Sequence, residues 1–265
     1  MTASRRVEKE TIPSLQGRYE AVRERIEQSA KRTGRRVEDI ILVAVTKHAS
    51  FDQIRDLVEL GHIDLGENRM QNLVQRAAQV EEYLSRLHQL GAGKKCDVPK
   101  AVRWHMIGTL QRNKVRKLLP LVRLIHSIDS MRLAEEIQIA AGRRDEVIEV
   151  LIQVNTSSDK KKNGIAPAAA LHVIEQIDTM VNIKVRGLMC MAPMVEDPEE
   201  ARSVFVRCQE LFDEISSEGA VDEKFNLLSM GMSNDFEVAI ECGSNLVRIG
   251  SEIFGQPETI EADLQ

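Results

Sequence analysis

The stretch Ile41-Leu42-Val43-Ala44-Val45-Thr46-Lys47 places six apolar or β-branched residues in succession and closes on a lysine. A run this short, bounded by Glu38 and Asp39 before it and Ser50 after it, reads as a strand buried on both faces. A lysine at the C-terminal end of such a strand is costly if it points into a closed barrel or sheet. Burial there disfavours the ammonium and frees a neutral amine, the form that condenses with an aldehyde. The plainer use of a strand-end lysine is to reach into solvent on its four-carbon stem. The rest of the chain weighs between the two.

Before this strand, Leu15, Tyr19, Val22, Ile26 and Ala30 recur at helical spacing behind a capping Ser14, and Gly34 stops the pattern. After it the chain alternates. Helices are predicted over 51–60, 67–90, 113–119, 130–141, 167–180, 198–216 and 235–242, with Gly61, Pro120 and Gly142 as breaks. Strands are predicted over 62–66, 102–107, 121–128, 147–155, 184–191, 225–229 and 246–249. Eight strands with crossover segments between them predict a parallel sheet, and the length is that of an α/β TIM (β/α)8 barrel. An open doubly wound sheet is the alternative, weakened because no G-x-G-x-x-G turn follows the first strand. The expected organisation is one barrel domain over 14–255, a loose lead-in over 1–13 and an acidic tail over 256–265. Residues 91–100, rich in Gly, Lys and Pro, read as a surface loop.

Composition narrows the class. Aromatic residues make up only 3%, so the core must rest on Leu, Ile, Val, Met and Ala. A net charge of −5 argues against non-specific nucleic-acid binding as the main task. No apolar run approaches the ~20 residues of a membrane span. Met1 to Glu10 is polar and unlike a secretory leader. Cys96, Cys190, Cys208 and Cys242 form no CxxC pair, and the six histidines no HExxH pattern, so neither a disulfide scaffold nor a metal site is expected. The expected setting is the cytoplasm.

In such a barrel the functional groups stand at the C-terminal ends of strands. Those ends carry Lys47, then Gly66-Glu67-Asn68, Trp104-His105, Asp129, Asn155 and Cys190. Strand seven is followed by Ser229, Gly231 and Ser233, and strand eight by Gly250 and Ser251. Gly/Ser turns after strands seven and eight are where such barrels often seat a phosphate. Arg248 lies two residues before Gly250 and so on the same strand face. An inward arginine requires an acceptor: a carboxylate such as Glu67 or Asp129, or a ligand atom. Lys47, Arg248 and the two turns together suggest a phosphorylated heteroaromatic aldehyde, with pyridoxal 5′-phosphate (PLP) the candidate. His105 reads as a core histidine before a catalytic base, and Cys190 as packing. Lys160, Lys161 and Lys162 read as a solvated loop.

The sequence resembles the YggS/PROSC family of PLP-binding, PLP-homeostasis proteins. The resemblance is carried by Val45-Thr46-Lys47, Gly66 to Gln71, Trp104 to Lys114, His126 to Ser130, Gln153-Val154-Asn155, Gly187-Leu188-Met189, Leu228 to Ser233 and Val247 to Ser251, with Ile253-Phe254-Gly255. It implies a barrel like the alanine racemase N-terminal domain, with PLP held as a Schiff base on Lys47. It also implies that Ser229, Gly250 and Ser251 hold the phosphate, that Arg248 faces the pyridine nitrogen, and that Asn68 lies near the ring. Lys162, two residues before Gly164, matches the family's lysine-x-glycine loop. The implied function is PLP homeostasis without robust catalysis, with PLP-dependent apo-enzymes as recipients and no nucleic acid or membrane as partner. A fold-type III PLP racemase or lyase is the alternative. It would need a second acid/base, and the only tyrosines, Tyr19 and Tyr83, lie in predicted helices outside every motif.

Overall fold

A computed structural model of the chain describes residues 14–89, 98–157, 159, 163–219 and 221–256. The expected lead-in over 1–13, most of the 91–100 loop, Lys160 to Lys162 and all but the first residue of the tail lie outside the described residues.

Eight parallel strands close on themselves in sequence order. They are β1 (Ile41–Val45), β2 (Asp64–Glu67), β3 (Arg103–Met106), β4 (Val122–Ile128), β5 (Ile148–Gln153), β6 (Ile183–Met189), β7 (Leu227–Ser229) and β8 (Leu246–Ile249). Closure comes from β1 against β8, where Ile41 to Ala44 register with Leu246 to Ile249. The barrel, not the doubly wound sheet, is the fold.

The helices ring it: α1 (Leu15–Arg32), α2 (Phe51–Glu59), α3 (Met70–Gln89), α4 (Val115–Leu118), α5 (Met131–Gly142), α6 (Pro167–Asp178), α7 (Arg202–Ser217), α8 (Phe236–Glu241) and α9 (Ser251–Phe254). The single turn α9 was not expected from the sequence. Helix α1 starts where Ser14 Oγ accepts the Gly17 N–H. Ser50 and Gln53 cap α2 reciprocally, which ends the segment bearing Lys47 sharply.

Period-2 alternation divides the strand side chains between two cores. Outward residues such as Ala44, Leu65, Ile125 and Ile249 pack against the helices in the larger core. Inward residues Val43, Leu124, Leu151, Met189 and Leu246 form a separate apolar layer inside the barrel. Each such side chain contributes about 1.5–3 kcal/mol by leaving water. Buried polar side chains, among them Arg248, Ser229, His126 and His105, share the interior with it.

Candidate functional site

Lys47 stands just beyond β1. The ladder ends where the Thr46 N–H donates to the Gly66 carbonyl at 2.9 Å, and the chain then turns, the Ala49 N–H donating to the Thr46 carbonyl at 2.9 Å. Lys47 and His48 occupy the crest of that turn and are exposed. The expectation of a buried lysine is therefore corrected. The strand stops short of position 47, so the side chain sits at the barrel mouth and not within its interior. Its place in the sequence is in phase with the inward Val43 and Val45.

The turn is clamped from outside the barrel. Arg76 of α3 donates Nη1 to the Thr46 carbonyl and to the Glu67 carboxylate, and Nη2 to the Ala49 carbonyl at 2.9 Å. The Thr46 hydroxyl donates to the same Glu67 oxygen. Glu67 is fully buried, and its other oxygen, Oε2, has no hydrogen-bond partner. Glu67 is thus the partner of Arg76 and not of Arg248. Arg76 carried no motif in the sequence; its only signal was an arginine on the helix that follows β2.

Asn68 is exposed on the loop between β2 and α3. Gly108, after β3, packs beneath it so closely that a Cβ there would lie 2.1 Å from the Asn68 carbonyl oxygen. Only glycine fits that contact, which brings the β2 and β3 loops together at the mouth.

The loops after β7 and β8 meet as the sequence predicts. Gly231 has φ +90°, and a Cβ there would come within 2.7 Å of the Ala239 Cβ, so the turn after β7 requires glycine. The Met232 N–H donates to the Asp235 carboxyl at 2.6 Å. The Gly250 N–H donates to Ser233 Oγ at 3.1 Å, which sets Ser233 beside Gly250 and Ser251. Ser251 opens α9 and is half-buried.

Arg248 lies inside the barrel, 3% exposed. Nη1 donates to Ser229 Oγ at 2.6 Å and Nη2 to the Cys190 carbonyl at 3.0 Å. Neither Glu67 nor Asp129 reaches it, and among the described residues no carboxylate ion-pairs with it. Burial pulls its pKa below the ordinary arginine value, opposed in part by Cys190, Asp235 and Cys208. The guanidinium nevertheless stays charged. Ser229 is fully buried beneath it and also lies 3.0 Å from His126 Nδ1. The serine therefore sits with Arg248, while Ser233 is the hydroxyl that shares the Gly250 turn.

Val43 registers with Arg248 across the β1–β8 seam. Lys47 lies four residues further along the chain and two past the end of β1, so it stands nearer the mouth than Arg248. Lys47, Asn68, Gly250 and Ser251 thus rim the mouth, with Arg248 and Ser229 forming its floor. His105 is buried and hydrogen-bonded inside the barrel, as a core histidine. Cys190, Cys208 and Cys242 are free and buried. Among the described residues no cluster of His, Cys, Asp and Glu could hold a metal, and no helix is long and apolar enough to cross a membrane.

Tyr19 and Tyr83 stand away from this mouth. The Tyr19 hydroxyl contacts His62 Nδ1 at 3.1 Å, just before β2 at the other end of the barrel. The Tyr83 hydroxyl donates to Glu59 between α2 and α3.

Comparison with known proteins fits this architecture. Residues 19–257 match the family described as alanine racemase, N-terminal domain. The pyridoxal phosphate homeostasis protein of Aquifex aeolicus is 39% identical over 239 residues, covering 90% of this chain and 96% of its own. PipY of Synechococcus elongatus, solved with PLP bound, is 28% identical and superposes with a TM-score of 0.71 over 88% of this chain and 100% of its own. Alanine racemase of Clostridium difficile shares the fold at 16% identity and a TM-score of 0.63, over 94% of this chain and 59% of its own. With a match across nearly its whole length to the alanine racemase N-terminal domain and 39% identity to the Aquifex protein, the chain belongs to the pyridoxal phosphate homeostasis protein family.

Proposed function

We propose that this protein binds PLP at the C-terminal mouth of the barrel and serves in intracellular PLP homeostasis, with Lys47 as the covalent anchor and without robust turnover of amino acids. One observation carries the reading: Arg248 is a buried cation whose guanidinium, among the described residues, is held only by a hydroxyl and a carbonyl. A charge taken out of water without a carboxylate is costly, and an acceptor on a ligand would offset that cost. A guanidinium donates and never accepts, so a pyridine nitrogen facing Arg248 would stay unprotonated.

The other residues fit the remaining parts of the molecule. The Lys47 amine, exposed at the rim, is accessible to an aldehyde. Gly250 and Ser251 would hold the phosphate, through the Gly250 N–H, in place of its bond to Ser233 Oγ, and the Ser251 hydroxyl. Ser233, beside them, is a third candidate. The resemblance gives Ser229 to the phosphate as well. Its oxygen is engaged by Arg248 and faces His126, so we assign it to the nitrogen end of the ring. Asn68 would lie near the ring from the β2 loop. When bound, PLP supplies a reactive aldehyde and an electron-withdrawing ring.

The racemase or lyase reading is less well supported. Two-base chemistry needs an acid/base group on the far face of the cofactor, and both tyrosines are engaged elsewhere. A donor-only Arg248 would also weaken the ring as an electron sink. The homeostasis reading implies that bound PLP is released to PLP-dependent apo-enzymes, and that the protein works in the cytoplasm.

The deciding measurement is the visible absorbance of the purified protein with added PLP, before and after borohydride reduction, followed by peptide mapping. A pyridoxyl adduct on Lys47 is expected, together with negligible exchange of the α-hydrogen of alanine or serine in deuterated water. A protein that takes up no PLP would overturn the whole reading. Exchange at a catalytic rate would overturn the non-enzymatic part.

A further inference from the structure

A row of buried polar side chains runs through the barrel from Arg248 to the opposite end. Ser229 Oγ lies 3.0 Å from His126 Nδ1, His126 Nε2 lies 2.9 Å from His105 Nδ1, and His105 Nε2 lies 3.0 Å from Asp64 Oδ1. Arg103 donates to the other Asp64 oxygen. Ser229 and His126 are 0% exposed, His105 3% and Asp64 7%, so bulk water does not compete for these bonds. The row comes from β7, β4, β3 and β2 and passes through the barrel interior from one end to the other. Asp64 and Arg103 line a cavity of about 550 Å³ at the N-terminal end.

The two ends and the number of protons on the row set where the protons lie. Arg248 can only donate, so Ser229 Oγ accepts from it, and the serine's own proton is free for another partner. At the far end burial pushes the Asp64 carboxyl up, but its bonds to His105 and Arg103 outweigh this and hold it below the usual range. Asp64 is therefore an acceptor, and His105 donates from Nε2. With that one proton on the His105 ring, Nδ1 is left to accept, and His126 donates from Nε2. His126 Nδ1 in turn accepts the Ser229 hydroxyl. Burial keeps His126 neutral, with His105 and Arg248 acting in the same direction. Every donor along the row points from Arg248 toward Asp64. The reverse polarity requires one more proton, on His105. It would move the His126 proton to Nδ1 and leave the Ser229 hydroxyl to donate elsewhere.

We propose that His126, His105 and Asp64 are positioning residues: they draw the Ser229 proton away from the mouth and leave its oxygen as a fixed acceptor that aims the Arg248 guanidinium. What Arg248 is aimed at rests on the PLP reading above. The orientation of the row does not. Substitution along the row should reach the ligand only through Ser229 and Arg248, and should leave Lys47 chemically competent.

The test has two arms. In the first, the full chain without cofactor is labelled with 15N-histidine, and His105→Gln and His126→Gln assign the signals. His105 and His126 are expected to be neutral and protonated on Nε2 only at pH 7. A proton on His126 Nδ1, or an imidazolium at His105, would overturn the proposal. In the second arm, PLP binding and borohydride trapping are compared in His126→Leu and His126→Gln. Leucine removes both bonds and is expected to weaken binding at least tenfold while the Lys47 adduct still forms. Glutamine supplies an acceptor and a donor and should recover most of the loss. Equal binding by the wild type and His126→Leu would overturn the proposal. Should the wild type bind no PLP, the PLP reading fails, and the nitrogen signals still decide the row.

Discussion

Arg248 Nη1 stands 2.6 Å from Ser229 Oγ, so a fully buried serine oxygen, and no carboxylate, is the main support of a buried cation. Most buried arginines are paired, because the desolvation penalty otherwise goes uncompensated. This one should therefore cost stability and contribute to binding. Arg248→Met is expected to leave the urea midpoint of the cofactor-free protein unchanged or raised, and to weaken PLP binding more than tenfold, about 1.4 kcal/mol. A loss of apo stability above about 3 kcal/mol would show that the arginine is structural.

The pair Glu67–Arg76 makes the opposite prediction. Glu67 is fully buried, Arg76 is mostly so, and together they hold the turn that carries Lys47. Removing one member of such a pair strands the other and costs about 3–5 kcal/mol. Arg76→Met should therefore lower the urea midpoint strongly. Glu67→Gln combined with Arg76→Met should cost less than the sum of the single changes. An additive pair would mean that the clamp is not one unit.

Lys47 itself has no such role. It is exposed at the crest of its turn, so Lys47→Ala should change stability by no more than about 0.5 kcal/mol. The same variant should lose the borohydride-trapped adduct entirely. A trapped adduct of full yield in Lys47→Ala would place the anchor on another lysine.

His62 predicts an acid-side weakness. Its Nε2–H donates to the Asp64 carbonyl at 2.9 Å, and Nδ1 accepts from the Tyr19 hydroxyl at 3.1 Å. Burial is the main cause that lowers its pKa to about 4. The unfolded chain, near 6.5, binds this proton first as pH falls. The stability it contributes is therefore complete above about pH 6.5 and is lost progressively down to about pH 4. The loss amounts to roughly 3 kcal/mol at 1.36 kcal/mol per pH unit. Urea midpoints at pH 7.5 and pH 4.5 should show the fall, and His62→Gln should reduce it. Equal slopes in the two proteins would remove His62 as the cause.

Much of this was legible in the chain. The eight-fold alternation of apolar runs and helical patterns determined the barrel, because each strand must be buried on both faces and each helix on one. The length and break residues placed most elements within a few positions; the start of α7 shifted most, because Pro198–Ala201 form a 3-10 turn before it, and α3 starts late because Asn68 and Arg69 form the rim after β2. Period-2 spacing put Arg248 and Gly250 on one face, and the Gly/Ser turns after the last two strands were visible as such. The family motifs named the same residues.

What the sequence determined, then, was the set of strand ends and which residues occupy them, since periodicity is a property of neighbours along the chain. What only the tertiary structure decided was which of those residues meet. Lys47 is exposed because the strand stops at Val45, and Glu67 serves Arg76 because both lie outside the barrel wall. Ser229 turns toward Arg248 and His126 because closure brings β4, β7 and β8 around one interior. Hydrogen-bond partners inside a closed barrel can lie far apart in the chain, 103 residues for His126 and Ser229, and no local pattern encodes them.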